Sequence, residues 1–155
     1  MDVEFRPAVP THAALLATSL RAADRAEVRA SDGLAPQAAL ERSLALSSEA
    51  YAGFVDGELA ALFGVRRLSL VSGAGSPWLL TGEAVGRHPR AFLKASRGIL
   101  GVWRRDYVWL GNWVDARNLK AKRWLGWLGF TLHPARAYGV GRLPFHPFEM
   151  EGYRD

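Results

Sequence analysis

The sequence predicts an α+β protein, with a mixed central sheet of about six strands flanked by helices in a single domain over residues 1–155. Three observations support this. Hydrophobic residues form 49% and charged residues 23% of 155 residues, a balance typical of one globular domain with one core. Asp56-Gly57 separates two apolar runs, which is typical of a tight hairpin. Residues 107–130 have the pattern of a strand, a helix and a second strand.

The N-terminal part predicts one strand followed by three helices. Val3 and Phe5 alternate with polar positions in a short strand, which could extend as far as Ala8. The helices are expected over residues 11–20, 22–30 and 36–47. Pro36 stands at the first position of the third helix, where a missing N–H group removes no hydrogen bond.

The middle of the chain predicts antiparallel strands and a long helix. The hairpin strands are residues 50–55 and 58–65, and residues 72–76 form a flexible loop. A further strand follows over residues 77–81. The helix over residues 89–105 has one apolar face.

The strand–helix–strand unit organises the rest. Residues 107–110 are aromatic and β-branched, as in a buried strand. Asp115 and Asn118 both offer side-chain oxygens that could cap the next helix, and Gly129 suits its left-handed C-terminal position. A strand is expected over residues 131–138, before a proline-rich end.

Charge and composition exclude several classes of site. The net charge is +5, which suits nucleic acid, a phosphorylated cofactor, an acidic partner or simply a solvated basic face, and no Lys/Arg run specifies a nucleic-acid site. There is no cysteine, so thiol catalysis and disulfides are excluded. His88, His133 and His146 lack metal-ligand spacing. No leader or membrane-spanning run is recognisable, so we expect a soluble intracellular protein.

The residues Asn118, Ala121 and Trp124 and the pair Gly129-Phe130 resemble the C-terminal part of GNAT N-acetyltransferases. The resemblance implies a GNAT-like fold, with acetyl-CoA as cofactor and Asn118 opening a helix beside it. Glycine-rich loops of the family bind the pyrophosphate on helix N-terminal N–H groups. The corresponding residues 82–90 contain one well-placed glycine, Gly86, and Pro89 removes a donor.

The candidate cofactor-binding residues are therefore Gly86, Arg87, Arg90 and Asn118, with His88 and Lys94 as further side chains that could meet a phosphate. An exposed basic helix start without a ligand is the alternative. Many GNAT enzymes use a tyrosine as general acid, and Leu125 holds that position here. The candidate general base is Glu83, or else Glu27, although both are also typical surface carboxylates.

Several further segments together resemble the internal virion protein A family of short-tailed bacteriophages, a divergent GNAT-like group. They are residues 24–27, 51–57, 78–81, 107–112 and 141–150. This resemblance implies a phage or prophage protein of the host cytoplasm or the virion, with a protein partner in virion assembly. Two hypotheses follow: an assembly scaffold with a degenerate acetyl-CoA site, or an active N-acetyltransferase for an unknown amine. At least one of Trp113, Trp124 and Trp127 is expected to mark a partner surface.

Overall fold

A mixed sheet of eight strands with six helices forms the part of the chain that the structure, a computed structural model, describes: residues 2–153. In chain order the elements are β1 (Val3–Pro7), α1 (Pro10–Ala17), α2 (Ala22–Asp32), α3 (Pro36–Leu46), β2 (Glu49–Val55), β3 (Glu58–Arg67), β4 (Ala74–Thr81), α4 (Glu83–Arg87), α5 (Pro89–Asp106), β5 (Trp109–Asp115), α6 (Leu119–Leu128), β6 (Thr131–Leu132), β7 (Arg136–Tyr138) and β8 (Leu143–Glu151). The sheet order is β1-β2-β3-β4-β5-β8-β6, and β7 also pairs with β8. Among the strands of residues 2–153, only the β4–β5 pair is parallel.

The predicted fold class is confirmed, although the sheet has eight strands and not about six, and the local turn and cap signals are found where expected. Asp56 and Gly57 have φ angles of 48° and 81°, the positive values that a two-residue hairpin turn requires. Of the two possible caps, Asn118 is the one used: its side chain accepts a hydrogen bond from the N–H of Ala121. Gly129 ends the helix with a φ of 103°.

Several predicted boundaries are wrong. The strand expected over residues 107–110 begins only at Trp109, because Tyr107 is still bound to α5 through its N–H and the Trp103 carbonyl. The supposed loop over residues 72–76 contributes the first three residues of β4. A helix, α4, lies between β4 and α5. The proline-rich end is the strand β8.

β8 accommodates Pro147 because the nitrogen of this residue, which carries no hydrogen, faces the interruption between β6 and β7. The Pro147 carbonyl accepts a hydrogen bond from the N–H of His133, which lies between β6 and β7. A strand residue directs its nitrogen and its carbonyl to the same side. The proline nitrogen therefore faces the interrupted edge, where a donor has no regular partner.

β4 and β5 are paired over a short distance and then separate. Their register contains Ala74 with Trp109 and Gly75 with Leu110. Beyond this point the Pro77 carbonyl accepts a hydrogen bond of 2.8 Å from Asn112 Nδ2, so a side chain bridges the two strands. Pro77 has no N–H to offer on the same side. The sequence thus ends the ladder and opens a gap toward the carboxyl ends of both strands.

Buried apolar side chains cover both faces of the sheet. Leu16, Leu40 and Leu62 belong to the cluster under α1–α3, and Phe63 and Phe92 to the cluster under α5 and α6. Among residues 2–153, no helix has the length and hydropathy needed to cross a bilayer.

The tryptophans differ in exposure. Trp124 is buried, Trp113 is half-buried, and Trp127 is 46% exposed on α6. The guanidinium carbon of Arg97 lies 3.5 Å from the centroid of the Trp127 ring. Trp127 is therefore the tryptophan of the three that is available to a partner, and its role as a partner surface stays a prediction.

Phe92 should be a major contributor to stability. Its ring is almost fully buried, with the Phe5 and Phe63 ring centroids 5.8 and 5.9 Å away. We expect Phe92→Ala to lower the free energy of unfolding by about 3–5 kcal/mol, measured by urea titration. Val102→Ala, at a half-exposed position of the same helix, should cost less than about 1 kcal/mol. Equal losses in the two variants would show that Phe92 is not a core residue.

Candidate functional site

A cavity of about 240 Å³ lies at the gap between β4 and β5. Side chains of α2, α5 and α6 complete its walls. Most of its lining is apolar, including Leu125 and Trp124 of α6. Asp24, Glu27 and Thr81 also line it, so the apolar space is in contact with a group of carboxylates. This is the arrangement typical of a ligand site, an apolar cleft with a small number of polar groups.

A buried hydrogen-bonded network joins α2, β4 and α6 beside this cavity. Arg21 donates to Asp24 Oδ1 at 2.9 Å through Nη2 and to Thr81 Oγ1 at 2.6 Å through Nε. Asp24 Oδ2 accepts hydrogen bonds from both the N–H and the hydroxyl of Thr81, and Asn118 Nδ2 donates to Asp24 Oδ1 at 2.8 Å. The Arg21 guanidinium lies over the Trp124 ring, 4.7 Å from its centroid. All these side chains are buried, so their charges are paired and bonded as burial requires.

Glu27 lies three residues beyond Asp24 on α2 and directs its carboxyl group to the start of α6. Its Oε1 accepts from the Asp115 N–H at 2.8 Å and from Asn118 Nδ2 at 3.4 Å. Burial raises the pKa of Glu27, and the nearby charge of Asp24 raises it further, while the two hydrogen bonds oppose the change. The resulting pKa is about 8, so this partly buried carboxyl group exchanges a proton near physiological pH.

Asp115 behaves differently although it is also buried. Burial raises its pKa, but hydrogen bonds from the N–H and guanidinium of Arg117, together with the Arg117 charge, more than reverse the effect. The pKa of Asp115 is therefore below its ordinary value. Asp115 stays ionised and holds the turn before α6, whereas Glu27 titrates.

The backbone of β5 also faces the gap. The N–H groups of Trp113 and Asp115 point away from β8, and each donates to a side-chain oxygen at 2.8 Å: Trp113 to Asn112 Oδ1 and Asp115 to Glu27 Oε1. A ligand that carries amide or carbonyl groups could bind β5 by exchanging with these side-chain oxygens.

The loop after β4 does not expose its first N–H groups. The N–H of Gly82 donates to the Ala60 carbonyl at 2.7 Å, and that of Glu83 donates to the Ser19 carbonyl at 3.1 Å. The Glu83 side chain is exposed and does not line the cavity. Its proposed role as a base stays a prediction.

The candidate cofactor-binding residues are not brought together in the cavity. Gly86 donates to the Gly82 carbonyl at 3.5 Å, and Arg87 is ion-paired with Glu58 at 2.9 Å. Arg90 is exposed in the first turn of α5. Asn118 is the candidate that contacts the cavity carboxylates, and both its amide nitrogen and its oxygen are already bonded. All four assignments stay predictions.

Arg21, Asp24 and Thr81 belong to this site but were not among the residues predicted from the sequence. A signal was present, because Arg21, Asp24 and Glu27 follow one another at intervals of three residues, which brings side chains to neighbouring positions on one helix face. That spacing is equally typical of a solvated charged face. Only the packing of α2 against β4 and α6 distinguishes the two.

Comparison with known proteins identifies the architecture. No protein-family model matches the sequence, and no curated protein sequence is significantly similar to it. Among solved structures, a probable GNAT-family acetyltransferase from Chromobacterium violaceum superposes with a TM-score of 0.71 at 18% identity, covering 98% of this chain and 84% of the other.

Two further structures were solved with coenzyme A. RimL, a ribosomal alpha-N-protein acetyltransferase, has a TM-score of 0.71 at 12% identity, with coverage of 96% and 93%. AAC(6')-Ib, in complex with ribostamycin and coenzyme A, has a TM-score of 0.71 at 16% identity, with coverage of 97% and 94%. At these identities the likeness concerns the fold. The chain has the GNAT fold of acetyltransferases.

Proposed function

We propose that the protein is an acetyl-CoA-dependent N-acetyltransferase with Glu27 as its general base. One observation carries the proposal: a carboxyl group with a pKa of about 8 lies at the gap between β4 and β5, in the wall of an apolar cavity. A general base is most effective when its pKa is near the working pH. Perturbed carboxyl groups in clefts are also typical of active sites.

The cavity is well suited to bind the thioester end of acetyl-CoA. The loop after β4 is less well suited to bind its phosphates. The apolar lining and the Trp113 and Asp115 N–H groups fit an aliphatic arm with amide groups. The Gly82 and Glu83 N–H groups are already bonded, so the exposed side chains of Arg90 and Lys94 would supply part of the phosphate binding. We therefore expect weak, salt-dependent binding of the phosphate end. When bound, acetyl-CoA supplies an activated acetyl group.

Glu27 would accept a proton from the acceptor ammonium, which leaves a neutral amine. The amine nitrogen would attack the acetyl carbonyl carbon and the bond between carbon and sulfur would break, while the nitrogen releases its second proton to water as the amide forms. Leu125 offers no proton to the departing sulfur. An aliphatic thiol has a pKa near 8.5, so the sulfur can leave as a thiolate and be protonated by water. Glu83 is less suited to be the base, because its exposed side chain does not line the cavity.

A second proposal is a protein of phage virion assembly without transferase activity, located in the host cytoplasm or the virion. It rests on the resemblance to the internal virion protein A family. The occupied N–H groups of Gly82 and Glu83 favour it, because they remove part of the usual phosphate site. The exposed Trp127 is then a candidate contact for a protein partner.

Acetyl-CoA should bind with micromolar affinity at low salt in calorimetric titration. Ala121→Phe places an aromatic ring in the cavity and should weaken binding by at least about tenfold. Ala38→Phe, at an exposed position of α3, is the matched control and should bind as the wild type does. No heat at near-millimolar acetyl-CoA would contradict the transferase proposal and favour the assembly proposal.

Removing the base should reduce turnover. We expect Glu27→Gln to lower the rate constant for acetyl transfer by about 10²–10⁴-fold, measured by thiol release, with acetyl-CoA affinity unchanged. In the wild type, kcat/KM should rise with pH and level off above about 8, because Glu27 must be ionised. Glu83→Gln serves as the comparison: if it abolishes turnover and Glu27→Gln does not, Glu83 is the base.

The same substitution should have a pH-dependent effect on stability. The folded pKa of Glu27, about 8, lies above its unfolded value of 4.5, so the folded state holds a proton between these pH values and loses stability as the pH rises through them. Gln has no proton to lose. Because only the wild type loses this stability, the free energy of unfolding of Glu27→Gln relative to the wild type should be higher at pH 9 than at pH 5 by on the order of 4 kcal/mol, measured by urea unfolding at both pH values. A constant difference between the proteins would refute the raised pKa.

A further inference from the structure

A second, wider groove of about 630 Å³ opens next to the cavity at the β4–β5 gap. Trp78, Asn112, Trp113 and Tyr138 line both spaces, so the groove and the cavity adjoin along these four residues. We call this space the acceptor groove. It lies on the side of α2 and α3.

Three arginines line the acceptor groove from three different elements: Arg42 of α3, Arg66 of β3 and Arg136 of β7. All three are exposed. Within residues 2–153 none of these arginines forms an ion pair. The guanidinium carbon of Arg136 lies over the Trp113 ring, 5.2 Å from its centroid. Unpaired guanidinium groups facing one groove are suited to bind carboxylate or phosphate.

Carboxyl groups of α2 lie at different distances along the cavity and the acceptor groove. Asp24 and Glu27 line the inner cavity, and Asp32, at the end of α2, lines both spaces. Tyr138 is close to Asp32, since burial and the charge of Asp32 both raise the pKa of the tyrosine. Three carboxyl groups therefore lie along α2 toward the cavity; Asp24 is ion-paired with Arg21, Glu27 titrates near pH 8, and Asp32 is exposed.

Glu149 is a further carboxylate in the lining of the acceptor groove. Its Oε2 lies 3.2 Å from His133 Nε2, so this carboxylate already has a partner. Apart from it, the acceptor groove runs from carboxylates at the cavity to unpaired arginines farther out.

We propose that the acceptor is a small amine that also carries an anionic group, with its ammonium directed to Glu27 and Asp32 and its anion bound by Arg42, Arg66 and Arg136. This rests on the proposed acetyl transfer for the reaction itself. The anion is a carboxylate or a phosphate, since a guanidinium binds both. Between the carboxylates and the arginines, the side of the groove is lined by two stacked aromatic rings: the Trp113 and Tyr138 ring centroids are 4.3 Å apart, with an interplanar angle of 11°. Such a wall suits an apolar body between amine and anion.

The test uses pairs of amines that differ in the anion. Phenylalanine is compared with phenylalanine amide, and phosphoethanolamine with ethanolamine, in calorimetric titrations without acetyl-CoA and in thiol-release assays with it. We expect at least one anionic member to bind about tenfold or more tightly than its neutral counterpart. The pair that shows the preference identifies the anion as carboxylate or phosphate.

Substitution of the arginines locates the site. Arg136→Gln and Arg66→Gln should each reduce the preference for the anionic member by about tenfold and leave the binding of the neutral member unchanged. Arg105→Gln is the matched control: Arg105 is exposed on α5 and lines neither space. Equal binding of both members of each pair by the wild type would overturn the inference, and so would a preference that survives Arg42→Gln, Arg66→Gln and Arg136→Gln combined.

The two proposals can fail separately. A preference for the anionic amines without any thiol release would support the acceptor groove and contradict acetyl transfer. Thiol release that is equally fast with neutral and anionic amines would support acetyl transfer and contradict the acceptor groove.

Discussion

The separation of β4 from β5 is the constraint on which the candidate site depends. A continuous parallel ladder would fill the space between these strands with backbone hydrogen bonds and leave no cavity. Pro77 lacks the N–H group that the ladder would need, and Asn112 bonds the Pro77 carbonyl with its side chain instead. The freed N–H of Trp113 is bonded by the same Asn112 side chain. Two residues therefore open the sheet without leaving these backbone groups unsatisfied.

The buried network fixes what lies at this opening. Arg21 and Asp24 join α2 to Thr81 at the end of β4 and to Asn118 at the start of α6. A buried ion pair adds little net stability, because desolvation offsets its attraction, but removing one partner leaves a costly unpaired charge. The network therefore favours one position of α2 over others. That position sets Glu27 against Asp115 at the cavity wall.

Local signals allowed much of the fold to be predicted, and long-range pairing explains most of what was missed. Asp56-Gly57 and Gly129 have backbone requirements that a few neighbouring residues reveal. Asp24 meets Thr81 across 57 residues and Asn118 across 94, which no spacing rule detects. The strand β8 was not predicted from the proline-rich end, because the tolerance of a sheet for proline depends on which edge of the strand is paired. The sequence accordingly offered both Glu83 and Glu27 as candidate bases, and it did not distinguish them because the contact of α2 with the turn before α6 is long-range.

The fold alone is compatible with both a transferase and a scaffold, and the two make different use of Glu27. A scaffold gains nothing from a carboxyl group whose ionisation is opposed by burial and by the charge of Asp24. A glutamine would accept the same hydrogen bond from the Asp115 N–H without that penalty. Catalysis, in contrast, needs a group that exchanges a proton near neutral pH, beside a cavity able to hold the reacting atoms. The transferase proposal therefore accounts for the energetic cost of Glu27 through proton transfer, whereas the assembly proposal offers no reason for it, even though the phosphate loop departs from its usual form.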